Sequence, residues 1–390
     1  MRGGRALVLG HWASRARHWA LGAGRWSMPT GRRALGAARW LLLAGVACMA
    51  HADDEPAFPD VVPGLELRFP EDEGSHPEYR IEWWYVTGWL EEPSGDPLGF
   101  QVTFFRARMP GNEANPSSFA ADQLLFAHAA LSDPTRGKLL HAERAARAGF
   151  GLAEARAGRT DVVIEDWRLV QQGDHYDADV SAENFAFELR FERTQPPLLH
   201  GRDGYSQKGP DPRSASYYYT HPHLAVTGTV TIEGRAREVR GEAWFDHEWS
   251  SQILDAEAVG WDWVGLNLPD GGALMAFRLR DQQGGEHWAQ ATRREADGRV
   301  TTYGPDDVAW IERRHWTSPR TGIEYPVSFD LQVGERSLRL EPLMPDQESD
   351  SRGSTGTIYW EGAVRAYDAD GDFAGRGYLE LTGYGEKLRL

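Results

Sequence analysis

Cys48 is the only cysteine among the 390 residues, so no disulfide framework holds this chain together. No apolar run reaches the roughly 20 residues that a membrane-spanning helix needs. No glycine-rich phosphate loop and no dinucleotide fingerprint occurs, which sets aside the common nucleotide-dependent enzymes. G-x-S-x-G is missing too, and a triad assembled from Asp255, His247 and Ser250 would have no motif behind it. No stretch keeps the apolar period of a helical bundle. Positive charge is scarce: 42 Lys and Arg face 58 Asp and Glu, a net charge of -16. That excess argues against nucleic acid or anionic lipid as the main partner.

What is present begins with an unusual amino terminus. Residues 1–52 hold eight arginines and no acid. An apolar run from Trp40 to Met49 follows the arginines and ends in Ala50-His51-Ala52, a small-x-small site. Positive region, short apolar region and cleavage site together predict a secretory signal over 1–52 and a periplasmic or secreted product. The stretch beginning at Met28 would be a signal of ordinary length by itself. Gly45-Val46-Ala47-Cys48 loosely resembles a lipoprotein box, which gives a lipid anchor at Cys48 as the alternative. Without the leader, 34 basic residues face 58 acids, a formal charge of -24.

From Asp53 onward the pattern is β. Residues 53–75 are rich in proline and acid and read as a leading segment. Ile81 to Leu90 is aromatic and β-branched enough for a strand. Leu98 to Arg108 reads as its return across a Pro/Gly turn. Further strand-like runs recur at intervals of about ten residues with Gly, Pro, Asn and Asp between them, the spacing of an all-β sandwich or barrel. Only 142–157 is alanine-rich, and it reads as a short helix or an irregular loop. Trp83-Trp84-Tyr85-Val86-Thr87-Gly88-Trp89-Leu90 aligns with Trp261-Asp262-Trp263-Val264-Gly265-Leu266-Asn267-Leu268. Two similar β domains are therefore expected, 76–249 and 250–390.

The densest chemistry lies in Gly241 to Leu268. Alternation puts Ala243, Phe245, His247 and Trp249 on one strand face. Asp262 shares the next strand's face with Val264 and Leu266, and it stands where the first repeat has Trp84. A carboxyl there is either buried and protonated, a proton donor, or bonded to an arginine such as Arg278. Asp246 and Glu248 fall on the face opposite His247, and no second histidine has metal-ligand spacing, so neither metal nor cofactor is expected. His76, Glu78 and Glu82 form another polar cluster. The loop from His200 to Tyr219 lacks apolar periodicity; its Tyr205, Lys208 and Tyr218 would close a barrel mouth or line the gap between domains.

Several pieces in order are similar to a known family: Glu82-Trp83-Trp84-Tyr85, His200 to Gly209, Ser216-Tyr217-Tyr218-Tyr219, Asp246-His247-Glu248-Trp249-Ser250, Gly260 to Gly265 and Trp360-Glu361-Gly362. The sequence resembles the lipocalin-like family of exported AttH proteins and carotenoid 1,2-hydratases (hydroxyneurosporene synthases). It resembles the AttH branch more, whose members are often described as predicted secreted hydrolases and sit beside genes of ABC-type exporters.

That resemblance implies an all-β chain with two lipocalin-like barrels in tandem, a hydrophobic lipid- or isoprenoid-like ligand, and a transporter as partner. For a hydratase, it implies Asp262 as the acid, with His247 and Trp249 as base and cation holder. Protonating an isoprenoid double bond needs a protonated carboxyl, aromatic faces over the cation, and a base for the water. The tyrosine that hydratases carry two residues before the aspartate is Gly260 here, which favours a binding protein over a hydratase. Trp261, Trp263, Glu82, Trp84, Tyr205, Lys208 and Tyr218 are the expected ligand contacts, Lys208 toward an anionic head group. A structural partner of an envelope transporter is the third reading.

Overall fold

The computed structural model describes residues 58–110, 115, 117 and 119–387. The expected leader, Met28 and Cys48 lie outside them. The described chain is almost wholly antiparallel β, in two sheets. The first contains β1 (Ile81–Glu91), β2 (Pro97–Arg108), β3 (Gln123–Asp133), β4 (Lys138–Arg147), β5 (Ala153–Ala155), β6 (Asp161–Ile164), β7 (Trp167–Gln172), β8 (His175–Ser181), β9 (Phe185–Glu192), β10 (Leu198–Leu199), β11 (Tyr205–Gln207), β12 (Ala215–Ile232) and β13 (Arg235–Gln252). Its order is β4-β3-β2-β1-β13-β12-β9-β8-β7-β6-β5, with β10 and β11 on β12. The end strand β4 approaches β6, which brings the sheet close to closure.

The second sheet contains β14 (Gly260–Asn267), β15 (Ala273–Arg280), β16 (Glu286–Arg294), β17 (Val300–Tyr303), β18 (Val308–Thr317), β19 (Glu324–Val333), β20 (Arg336–Pro342), β21 (Glu348–Ser351), β22 (Thr357–Tyr367) and β23 (Phe373–Leu381). Its order is β17-β16-β15-β14-β23-β22-β20-β19-β18, with β21 on β22. In both sheets the first strand lies between the second and the last, so the architecture is two barrels in tandem.

Strand alternation decides what each barrel holds. In β1, Trp84, Val86 and Leu90 enter the first barrel's core, while Tyr85 and Trp89 face the second barrel. In β14, Val264 and Leu266 fill the second core, and Trp263 faces the first barrel. A third apolar cluster, with Tyr85, Trp89, Trp244, Trp263, Met275 and Phe277, therefore glues the two together. Each such side chain, once buried, contributes about 1.5–3 kcal/mol. Two glycines let the sheets approach: a Cβ on Gly265 would lie 2.8 Å from the Trp244 ring, and one on Gly99 would lie 2.7 Å from Ala363 Cβ.

The alanine-rich stretch 142–157 is not a helix. It is the end of β4, a turn and β5, because Leu140, Ala142 and Ala146 alternate onto the first core. The leading segment closes one end of the first barrel. Its short 3-10 turn Glu71–Glu73 delivers Glu73 to Arg193 (2.7 Å) and Gln171, and the Glu73 carbonyl accepts from Thr160 Oγ1 at 2.8 Å.

Candidate functional site

The alternation in β13 divides its polar residues between two environments. Ala243, Phe245, His247 and Trp249 do share a face, and it belongs to the first barrel's interior and the end capped by the leading segment. There His247 is wholly buried. Its Nε2 lies 3.0 Å from Glu82 Oε1 and its Nδ1 3.0 Å from the Tyr219 hydroxyl. The ring stacks on Trp84, and Trp249 stacks on His76 with ring centroids 3.7 Å apart. Glu82 also takes bonds from Arg106 Nε (2.8 Å), the Ser75 hydroxyl (3.1 Å) and the His76 backbone N–H (3.0 Å).

Charge in this network follows from those partners. Burial works against ionising His76, yet its bonds to Asp72 and Glu82 outweigh burial and lift it to about 9. Burial would raise Glu82, but Arg106, His247 and His76 hold it well below the usual carboxylate range. At His247 burial prevails and lowers it. His76, Glu82 and His247 offer three ligand atoms within 4.8 Å of one another, a grouping that spacing along the chain does not reveal. A metal ion fits it poorly, because the ion would face the Arg106 guanidinium and compete for a carboxylate already engaged. Glu78 has no part in this network; its carbonyl accepts from Arg108.

On the other face of β13, Trp244, Asp246 and Glu248 point toward the second barrel. Between the barrels lies a cavity of about 930 Å3. Its walls are the outward faces of both sheets, with Trp83, Tyr85, Phe105, Trp261, Trp263 and Phe277 among the apolar lining. Asp246 is held by three donors: the Tyr218 hydroxyl (2.7 Å), Trp244 Nε1 (2.7 Å) and the Thr220 hydroxyl. Burial, with Glu248 adding to it, still pushes Asp246 up to about 7 against those bonds. Across the cavity, Glu361 and Glu380 are register partners on β22 and β23. Burial and the neighbouring Glu380 raise Glu361 well above the usual range. Burial, with Asp246 and Glu248 adding, lifts Glu380 to about 8, the Trp261 side chain opposing.

The residues singled out in the sequence therefore scatter. Trp261, Trp263, Tyr218, Lys208 and Glu82 line the cavity, but His247, Trp249, Trp84, Tyr205 and Asp262 do not. Asp262 is a correction: it is wholly buried inside the second barrel, bonded by Arg278 Nε (2.6 Å), Arg280 Nε (3.1 Å) and the Tyr384 hydroxyl (3.0 Å). Two guanidinium groups and a hydroxyl donate to this carboxyl, and none of its bonds reaches His247 or Trp249. Trp84 packs in the first core. Tyr205 donates to the Pro212 carbonyl at 2.5 Å and packs with Leu67, Tyr217 and Trp249. Lys208 is also corrected. Its ammonium pairs with Glu248 at 2.9 Å and lies 4.1 Å from the Phe277 ring centre, so its charge is already matched.

Sequence reasoning gave no role to Asp246, Glu361, Glu380 or Tyr85. Three of them, Tyr85, Asp246 and Glu361, stood inside the quoted motifs, and the available signal was parity: Asp246 alternates with Trp244 and Glu248, and Glu361 falls on the face of Tyr359 rather than that of Trp360.

Comparison with known proteins fits this architecture. The AttH-like family model matches residues 60–384. A crystal structure of a Nitrosomonas europaea protein described as an AttH is 50% identical, with a TM-score of 0.79, over 84% of this chain and 99% of that one. Kievitone hydratase from Nectria haematococca shares the fold at 15% identity and a TM-score of 0.63, over 85% of this chain and 94% of its own. Ceramide-binding protein svf1 of Aspergillus fumigatus is 28% identical over 96 residues, which span 24% of each protein.

Proposed function

The chain belongs to the AttH-like family, and from that premise we propose that it is an exported protein that binds an elongated hydrophobic molecule carrying a polar group between its two barrels. One observation carries this reading. Each barrel has its own apolar core, whereas about 930 Å3 remains open between them, walled by tryptophans and phenylalanines together with many polar and charged side chains. That volume and lining suit a small-molecule site. The ceramide-binding name of one partial relative agrees with a lipid-like occupant. Export rests on the arginine-rich leader, and an exchange of ligand with an ABC-type exporter belongs to the same proposal.

The test begins with the full chain, produced with its own leader in a bacterial host and purified without detergent. Organic extraction and mass spectrometry should return a lipid-like molecule, which Trp263→Ala depletes. Absence of any such molecule, together with no change of tryptophan fluorescence across a panel of lipids, would sink the reading.

A second reading, acid–base hydration of a double bond, is favoured by Asp246. A carboxyl pushed up to about 7 is poised to give or take a proton at neutral pH. It is bonded to the Tyr218 hydroxyl, which itself lines the cavity. In this reading Asp246, not Asp262, serves as the acid. Incubation of the extracted ligand in heavy-oxygen water decides it: label should enter the product with the native chain and be lost in Asp246→Asn.

A further inference from the structure

Three acids of the cavity have no cationic partner among the described residues. Five cationic side chains border it, and each is engaged elsewhere. Arg106 holds Glu82, Arg320 holds Asp346, Arg352 holds Asp350, Lys387 bonds the Ala256 carbonyl, and Lys208 holds Glu248. Among the described residues, no guanidinium or ammonium pairs with Asp246, Glu361 or Glu380. Asp246 is satisfied by neutral donors, but the opposite wall is not. Glu361 is 3% exposed, and among the described residues only the Tyr85 and Tyr359 hydroxyls are directed at it, the contact at Oε1 falling short of hydrogen-bond geometry. The Tyr85 hydroxyl, 6% exposed and also bordering the cavity, lies against Glu361 in that same loose contact and has no better partner. Buried polar atoms are normally paired, and each exception calls for an explanation. For Glu361 the missing partner is a hydrogen-bond donor, and with Glu380, Asp246 and Glu248 close by a positively charged one is favoured.

The surrounding rings point the same way. Trp83, Trp261, Trp263 and Phe105 border the same space, and aromatic faces attract organic cations, by ~2 kcal/mol or more when desolvated. Resting on the binding reading above, we propose that the cavity is built for a long-chain amphiphile with a protonated amine, its ammonium held by Glu361 and Glu380 with the Tyr85 hydroxyl, and its chain lying along the tryptophans. A fatty acid would instead bring a carboxylate toward carboxyls, and Lys208 is already neutralised.

Proton balance follows. Burial lifts Glu380 to about 8 and raises Glu361 well above the usual carboxylate range, so in the empty cavity at pH 7 the pair shares at least one proton. An ammonium entering as a cation keeps its own proton, and one carboxylic acid releases its proton to solvent as the ion pair forms. The groups facing this pair are Tyr85 from β1, Asp246 and Glu248 from β13, Trp261 from β14, and Tyr359 and Tyr378 from β22 and β23. None of them is a cation that would stand in for the ligand.

The experiment compares dodecylamine, dodecanol and dodecanoate, each below its aggregation threshold, on the full purified chain at pH 7 by calorimetry in two buffers of different ionisation enthalpy. Dodecylamine should bind at least about tenfold more tightly than the alcohol, with release of about one proton per amine bound. The doubly substituted Glu361→Gln/Glu380→Gln chain should lose both the preference and the proton release while keeping its affinity for dodecanol. Equal or tighter binding of dodecanol or dodecanoate would overturn the amine assignment and leave the hydrophobic site standing. So would amine binding by the native chain without proton release. Failure of all three to bind would overturn the binding reading itself.

Discussion

The Tyr218 hydroxyl donates to Asp246 at 2.7 Å and accepts from Trp263 Nε1 at 3.0 Å. One phenol of the first barrel thus joins a buried acid of its own sheet to the first strand of the second. It stands at the cavity wall, so its loss reports on the joint and on the site together. Tyr218→Phe should leave Asp246 short of a donor and Trp263 without an acceptor, at a cost of about 1–3 kcal/mol in denaturant unfolding. Because a bond that favours the ionised form is gone, Asp246 should titrate higher than about 7. Carbon-13 carboxyl NMR of the variant would show it; an unchanged or lower value would count against the bond.

Asp262→Asn separates stability from binding. Removing one charge from the buried cluster with Arg278 and Arg280 leaves two guanidinium groups without a full counter-charge. A loss of about 3–5 kcal/mol is expected. Ligand affinity of the folded fraction should stay as it was, because Asp262 lies inside the second barrel and away from the cavity. A selective loss of binding or turnover with normal stability would restore a role at the site.

His76 gives a signed pH dependence. Its folded value is lifted from 6.5 to about 9, so the folded state holds that proton more tightly than the unfolded chain. The resulting stability is fully present below pH 6.5, fades between 6.5 and 9, and is absent above. The stability gap between the native chain and His76→Gln should shrink across that window. Urea titrations at several pH values measure it, and a gap that grew with pH would reverse the assignment.

Glu380 acts through the opposite cost. Its folded value rises from 4.5 to about 8, so between those values the unfolded chain ionises it and the folded protein does not. Stability therefore falls as pH rises from 4.5 to 8 and levels off beyond. Glu380→Gln should be more stable than the native chain at pH 8, by an amount on the order of a few kcal/mol, and nearly equal to it at pH 4.5. The same urea titrations test this.

Much of the fold was legible in the chain itself. Alternation in Ile81–Leu90 and in Trp261–Leu268 marked strands, and their likeness matched two barrels in which β1 and β14 hold equivalent places. The alanine-rich 142–157 misled because alanine carries little strand preference of its own; packing of Ala142 and Ala146 on the first core decided the matter. At the site, parity correctly separated His247 and Trp249 from Asp246 and Glu248. It did not say which face meets the second barrel, and the His–Trp face was given the chemistry. The alternative of an arginine partner for Asp262, such as Arg278, is the geometry found.

By itself, then, the sequence determined the period of the strands, the two-fold repeat, and which residues share a face, because these follow from local backbone geometry and side-chain polarity. Only the tertiary structure decided that each barrel keeps its own apolar core and that a cavity opens between them. That outcome depends on how Gly265 meets Trp244 and Gly99 meets Ala363, and on cross-barrel bonds such as Trp263 to Tyr218. Those contacts join residues far apart in the chain, and no local pattern encodes which of two apolar faces another sheet will cover.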